Sequence, residues 1–430
     1  MKSTTSKAII FIAIILSFTS CSSIFDIDKE GGTRITAELS MKDIVNTLSG
    51  NSQDPVFLEA MKLASQRQGM GESDFVTLFG QAFEEVDPNA RLATIFLYEF
   101  KDTGITVNSS NNEVLKVLKD ACDDSLWQTY LIMASRLDRY SGDNSSIFHK
   151  IKFNIKKAES SERILIELPD DESIDYPRLR KLIQEEGRFG FCETYNFKQI
   201  QEFLMDANSA LAKTNKANNL SENTTNHTED DYAASNDLFA ENYPLFAKLI
   251  VTDSNTARVG MAQVKDTADI NEMLAETRSF FPRNLKFAWT VKPETYPGEN
   301  GESIEVLDLV ALKMSRDNKC ALGGEVITDA RQDYGQGNQV EVLIQMNPVG
   351  EKVWKLLTGE NIGNQIAIVL DGYVYSYPFV NCEIPNGRSS ISGGGMTVEE
   401  AQDLANVLKC GKYPCSVRII EEVYVEPHSH

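Results

Sequence analysis

The stretch RILIELPDDESIDYPRLRKLIQEEGRFGFCETY, Arg163 to Tyr195, decides the fold. RILIEL reads as a strand, Pro177 to Gln184 as a helix with the proline in its first turn, and FGFCETY as a second strand. Upstream, KIKFNIK (Lys150–Lys156) reads as another strand, and TRITAEL (Thr33–Leu39) alternates as a strand should. Ser40 then caps a helix over Met41–Leu48 that Gly50 stops. Asp54-Pro55 and Ser73 open two more helices, and after the turn-rich NSSNNE a long helical stretch runs from Val114 to Arg139. With the inserted helices of 41–105 set aside, the order is β-α-β-β-α-β, the split βαβ or ferredoxin-like arrangement. The predicted class is α+β: a ferredoxin-like base with inserted helices, plus a second α+β domain.

Beyond it, Ala212 to Asn236 has almost no large apolar residues and reads as a flexible polar insertion, because it lacks the apolar surface to offset ordering entropy. A second αβ unit follows: a helix over Asp266–Phe280, strands KFAWTVK, VLDLVALKM and QVEVLIQMN, a helix opening at Pro348, and IAIVLDGYVYSY. Asp371-Gly372 between alternating apolar runs is the strongest hairpin signal in the sequence. Thr397 caps a last helix, Val398–Leu408, and VRIIEEVYV closes the chain as a strand.

At 430 residues there is length for two or three domains, each with its own core. A net charge of −21 argues against nucleic acid, whose phosphates would be repelled. The apolar run Ala8–Phe18 behind Lys2 and Lys7 spans only about 16 Å as a helix, half a bilayer core. With small residues at Thr19 and Ser20, it reads as a secretory signal, and Cys21 directly after it as the lipid-bearing residue of a lipoprotein. The expected mature chain begins at Cys21, with 21–30 as an anchor segment, and lies outside the cytoplasm. Ser22 gives no acidic inner-membrane retention signal, so inner and outer membrane both stay open.

The other cysteines are Cys122, Cys192, Cys320, Cys382, Cys410 and Cys415. In CGKYPC, Gly411 and Pro414 can turn the chain, which makes Cys410 and Cys415 a candidate disulfide; the rest read as small buried hydrophobes. Neither the scattered His149, His227, His428 and His430 nor any Cys grouping suggests a metal site. No His-Glu-x-x-His, Gly-x-Ser-x-Gly or phosphate-loop motif occurs, and Gly335-x-Gly337 lacks the third glycine of a nucleotide fingerprint. Glu84-Glu85 and Asp123-Asp124 read as solvated helix faces, and SGGG, Ser392–Gly395, as a strand-to-helix turn with the backbone to hold an anion. No residue is a candidate for catalysis, and no cofactor is indicated.

One resemblance covers nearly the whole mature chain. GGEVITDA (Gly323–Ala330), ENIGNQIAIVLDGYVYS (Glu360–Ser376), GRSSISGG (Gly387–Gly394) and TVEEAQDLANVLKCGKYP (Thr397–Pro414) resemble, in order, the first periplasmic domain of the SecD/SecDF family. Asp28-x-x-Gly31-Gly32 resembles the segment after that family's first transmembrane helix, SRLDRY (Ser135–Tyr140) a helix end, and RILIELP the next strand. Ser141, Gly394-Gly395-Met396, Cys410 and Cys415 depart from the family pattern.

The resemblance implies a base over 31–208 rejoined by 396–426, a polar insertion at 209–237 and a head over 238–395. Here the lipid on Cys21 would replace the family's first transmembrane helix, and the chain stops about where the next would begin, leaving no membrane part to conduct protons. It implies a binding module, not an enzyme. Its partners would be emerging or translocated polypeptides, subunits of the Sec translocon, and the membrane through the lipid. The alternative is a free-standing periplasmic chaperone or assembly factor at the outer membrane.

Overall fold

A computed structural model describes residues 25–68, 74–143, 153–158, 162–221, 238–251, 255–297, 302–393 and 395–427. The chain forms two compact units, the first from residues 1–185 and 414–430, the second from 186–413.

In the first unit a one-turn helix, Ile27–Glu30, leads into β1 (Gly32–Leu39). Helix α1 (Met41–Leu48) follows, its Ser40 cap accepting from the Asp43 amide at 3.3 Å. Asp54 caps α2 (Pro55–Gln68) by accepting from the Val56 and Phe57 amides, each at 3.0 Å. Asp74, one residue past the expected Ser73, caps α3 (Phe75–Val86), and a short α4 (Leu92–Phe96) leads to the long α5 (Asn111–Asp143). Phe57 packs against Phe79 and Phe96, with ring centroids 5.6 and 6.2 Å apart, so the inserted helices carry an aromatic core of their own. Next come β2 (Asn154–Lys157), β3 (Arg163–Pro169) and α6 (Tyr176–Gln184). Arg136 on α5 is fully buried and donates to the Leu182 and Glu185 carbonyls, satisfying the C-terminal end of α6.

The sheet of this unit is antiparallel: the chain's last strand (Val417–Val425), then β1, β3 and β2. Numbered within the βαββαβ unit, that is order 4-1-3-2, so the ferredoxin-like base is present. Its fourth strand is not the expected one. FGFCETY belongs to the second unit, and VRIIEEVYV takes its place beside β1. Register puts Ile35 opposite Ile166 and Ala37 opposite Ile164 on the core face, and Arg34 opposite Glu167 and Glu38 opposite Arg163 on the other. Glu167 is only 2% exposed, but it accepts from Arg34 at 3.0 Å, Asn154 at 2.9 Å and Lys156 at 2.9 Å, so the buried carboxylate is fully partnered.

In the second unit, β4 (Phe189–Thr194) is followed by α7 (Phe197–Ser221), β5 (Ile250–Val251), β6 (Arg258–Gln263) and α8 (Thr267–Glu276). Then come β7 (Leu285–Trp289), β8 (Glu294–Pro297), β9 (Ser303–Lys313), β10 (Leu322–Gly323), β11 (Ile327–Tyr334) and β12 (Val340–Met346). Helix α9 (Pro348–Glu360), β13 (Ile366–Leu370), β14 (Tyr373–Ser376), β15 (Arg388–Ile391) and α10 (Val398–Cys410) complete it, and the closing strand of the chain is β16. One sheet runs β14-β13-β4-β9-β6-β5, with β10 on β4 and β7 and β8 on β9; the other runs β11-β12-β15 and packs against α10. Asp371 and Gly372 have φ of 49° and 89°, the two left-handed residues that a tight hairpin between β13 and β14 requires. The main core joins Phe197, Ile200 and Leu204 of α7 to Trp289 and Leu309.

The unit boundaries differ from the expected base and head. Phe189–Ser221 and α10 fall in the second unit because β4 pairs with β13, β9 and β10, and α10 covers β11 and β12. The expected polar insertion is also shorter: α7 continues to Ser221, with Leu211 and Ala212 buried, since Ala, Lys and Leu favour the helix there. Residues 222–237 lie outside the described residues.

Candidate functional site

Cys21, the signal segment 1–20 and all four histidines lie outside the described residues. Cys410 and Cys415 are not joined. Helix α10 runs on through Cys410, whose Sγ contacts the Asn406 carboxamide oxygen at 3.3 Å in the second unit. Cys415 enters the first unit's core, its Sγ 3.6 Å from the Thr129 hydroxyl. In place of the expected bridge, the half-buried Cys410 sulfur has its partner on α10 and the buried Cys415 sulfur has its own in the first unit. The bridge that exists joins Cys192 and Cys320, two of the cysteines read as plain hydrophobes. Among the thiols, burial pushes Cys122 up to about 12, so it stays protonated at neutral pH.

The glycine-bearing motifs are structural. Gly335 and Gly337 turn β11 into β12, with Gly337 at φ 70°. SGGG leads into α10, but that helix start is filled from within: the Thr397 side chain accepts from the Glu400 amide at 3.2 Å, and Glu400 accepts from the Thr397 amide at 2.8 Å. Lys292 pairs with Glu400 at 2.5 Å. Glu84, Glu85, Asp123 and Asp124 are exposed on helices, and Glu85 pairs with Arg67 at 2.6 Å. Among the described residues no three metal-ligating side chains cluster.

What the second unit offers is surface. Asn347 caps α9 by accepting from the Val349 and Gly350 amides, and Pro348 starts its first turn. The helix is locked on its inner side: Trp354 lies 4.4 Å from the Phe191 ring, and Gly350 sits so close to Val326 that a Cβ would be 2.6 Å from Val326 Cβ. Its outer side carries an apolar stripe among the exposed Lys352, Lys355 and Glu360. Val349 and Leu356, two turns apart, are 66% and 61% exposed, with half-buried Val353 between them; Ile362 and Phe379 beyond are 54% and 48% exposed. Side chains of this kind on a rigid helix can meet an apolar segment of another chain without ordering cost on their own side. The sequence hid the stripe because α9 has two apolar faces, and the heavier one, Trp354 and Leu357, takes the core.

Elsewhere in the unit, a charged node fixes the strands. Tyr377 donates to the buried Asp308 of β9, and Arg258 of β6 lies 3.5 Å from the same carboxylate. Burial, then the bond to Asp308, pushes the Tyr377 hydroxyl far above the usual phenol range. It therefore remains a donor at physiological pH, a structural part of the sheet.

Helix α9, Asp308 and Tyr377 lie in the region matched by the family model described as SecDF, P1 head subdomain, over residues 308–415. Protein translocase subunit SecD of Rhodothermus marinus is 33% identical over 412 residues, 93% of this chain. The chain is thus similar to the SecD/SecDF family along most of its length. It spans 62% of the length of that SecD. The SecD of Desulfurispirillum indicum is 42% identical over 105 residues, 24% of this chain and 20% of that protein. A solved structure described as a membrane component SecDF that enhances protein export aligns at 21% identity over 69% of this chain and 92% of its own, with a TM-score of 0.36. Among the described residues no helix is long and apolar enough to cross a membrane.

Proposed function

We propose that this chain acts in protein export as a SecD-type polypeptide-binding module, held at the periplasmic face of a cell-envelope membrane by a lipid on Cys21, and that it is not a catalyst. The reading rests on one observation above the rest, the 33% identity to SecD along 93% of the chain. The exposed apolar stripe of α9, inside the region matched by the P1 head subdomain, supports it as the surface that meets an emerging segment. The disulfide supports an oxidising compartment, since such bonds persist outside the reducing cytosol.

The test is a photoreactive amino acid placed at Leu356 in cells that carry a stalled export intermediate. Capture of the intermediate together with Sec translocon subunits supports the reading. Capture of outer-membrane proteins alone would replace it with an assembly factor working apart from the translocon. For the anchor, Cys21→Ser must abolish incorporation of labelled fatty acid.

A further inference from the structure

Two cysteines 128 residues apart in sequence meet in the second unit, with Cα atoms 4.4 Å apart, inside the span that a disulfide allows. Cys192 is fully buried in β4, and Cys320 ends the loop between β9 and β10. Gly190 makes the room: a Cβ there would lie 2.8 Å from Cys320 Cβ and 2.9 Å from its sulfur. Nothing in its backbone dihedrals calls for glycine, as it is absent from the positive-φ residues. The loop itself is a local turn, closed by the Ser315 amide on the Lys319 carbonyl at 2.8 Å, with Asn318 at φ 55°. Pairing with β4 holds the loop's two flanks, Lys313 of β9 opposite Glu193 and, in β10, Leu322 opposite Phe191 and Gly323 opposite Gly190, and the bridge adds a covalent tie at Cys320.

We propose that Cys192–Cys320 is a structural staple, installed by an extracytoplasmic disulfide donor, that holds the Ser315–Lys319 loop on β4. The exchange balances in two steps. One cysteine thiolate attacks a sulfur of the donor disulfide to give a mixed disulfide, and the second then attacks the first cysteine's sulfur, releasing the donor as a dithiol. The two thiols lose two protons and two electrons, and the donor disulfide gains them. Because Cys192 has no exposure in the finished unit, the donor must act before β4 is covered. The staple is therefore part of maturation, not a surface switch.

The test uses the full chain purified from cell membranes, denatured in the presence of the alkylating agent and digested without reductant. The expected result is one peptide pair joining 192 to 320, separated by reduction. A pair involving Cys122, Cys382, Cys410 or Cys415, or alkylated thiols at both positions in protein that melts cooperatively, overturns the proposal. Independently, trypsin should cut after the exposed Arg316 and Lys319 about tenfold faster once the wild-type chain is reduced, because local opening sets the rate. An unchanged rate also overturns it. Gly190→Ala, which crowds Cys320 without removing a thiol, is expected to lower the bridged fraction, and full bridging in that variant would refute the role given to Gly190.

Discussion

β3 and β4 are separated by a single helix, yet they end in different units, and the contrast lies in their faces. β3 buries Ile164, Ile166 and Leu168 and turns Arg163, Leu165 and Glu167 to a polar side, as a strand of a small sheet covered on one face does. β4 is buried at nearly every position, with Phe189, Phe191 and Cys192 all enclosed, because it lies inside a larger sheet between β13 and β9. A strand apolar on both faces belongs in a sheet covered on both sides, wherever the chain runs next.

Deleting 414–430 gives the largest expected effect. Without β16, β1 becomes an open edge, so calorimetry should lose the first unit's transition and keep the second's; an intact pair of transitions would break the contrast. Phe57→Ala should cost the first unit about 3–5 kcal/mol, and Phe191→Ala a similar amount in the second, each read by the shift of its own transition. If either substitution moves both transitions equally, the units do not melt independently. Thr397→Ala, which removes the cap of α10, should cost the second unit about 1 kcal/mol by urea titration.

The smallest effect is set by pH. The Arg180 guanidinium, 2.7 Å away, holds the Glu422 carboxyl below its usual range. A depressed acid contributes stability above its unfolded value of about 4.3 and loses it as pH falls through the lower folded value. Glu422→Gln should therefore flatten the acid-side decline of the first unit's melting temperature and leave the second unit's curve alone. A parallel shift of both curves would show that the pair does not act locally.

How legible this was in the sequence depends on the distance of the contact that decides each feature. Met41–Leu48, the Asp371-Gly372 hairpin and the Thr397 cap rest on neighbours in the chain and appear where the residues place them. The ferredoxin-like order was readable too, but not which strand completes it, because FGFCETY and VRIIEEVYV are both good strands and only burial separates them. Cys192 and Cys320 carry no spacing signal at all, whereas CGKYPC carried one that the structure does not use. For α9 the residues placed only its opening at Pro348, and the apolar stripe went unread because Val349, Val353 and Leu356 are interleaved with the core-facing Trp354 and Leu357.

The first unit is built from two stretches of chain that flank the second, and that has a consequence for its birth. β1 pairs on one side with β3, which is made soon after it, and on the other with β16, made after the whole second unit. As the chain emerges from its N-terminus, the second unit has all its residues first, while β1 waits with one row of backbone groups unpaired. An unpaired strand invites other strands. Until its own last residues arrive, the newborn protein is thus itself an unfinished polypeptide of the kind that export must shelter.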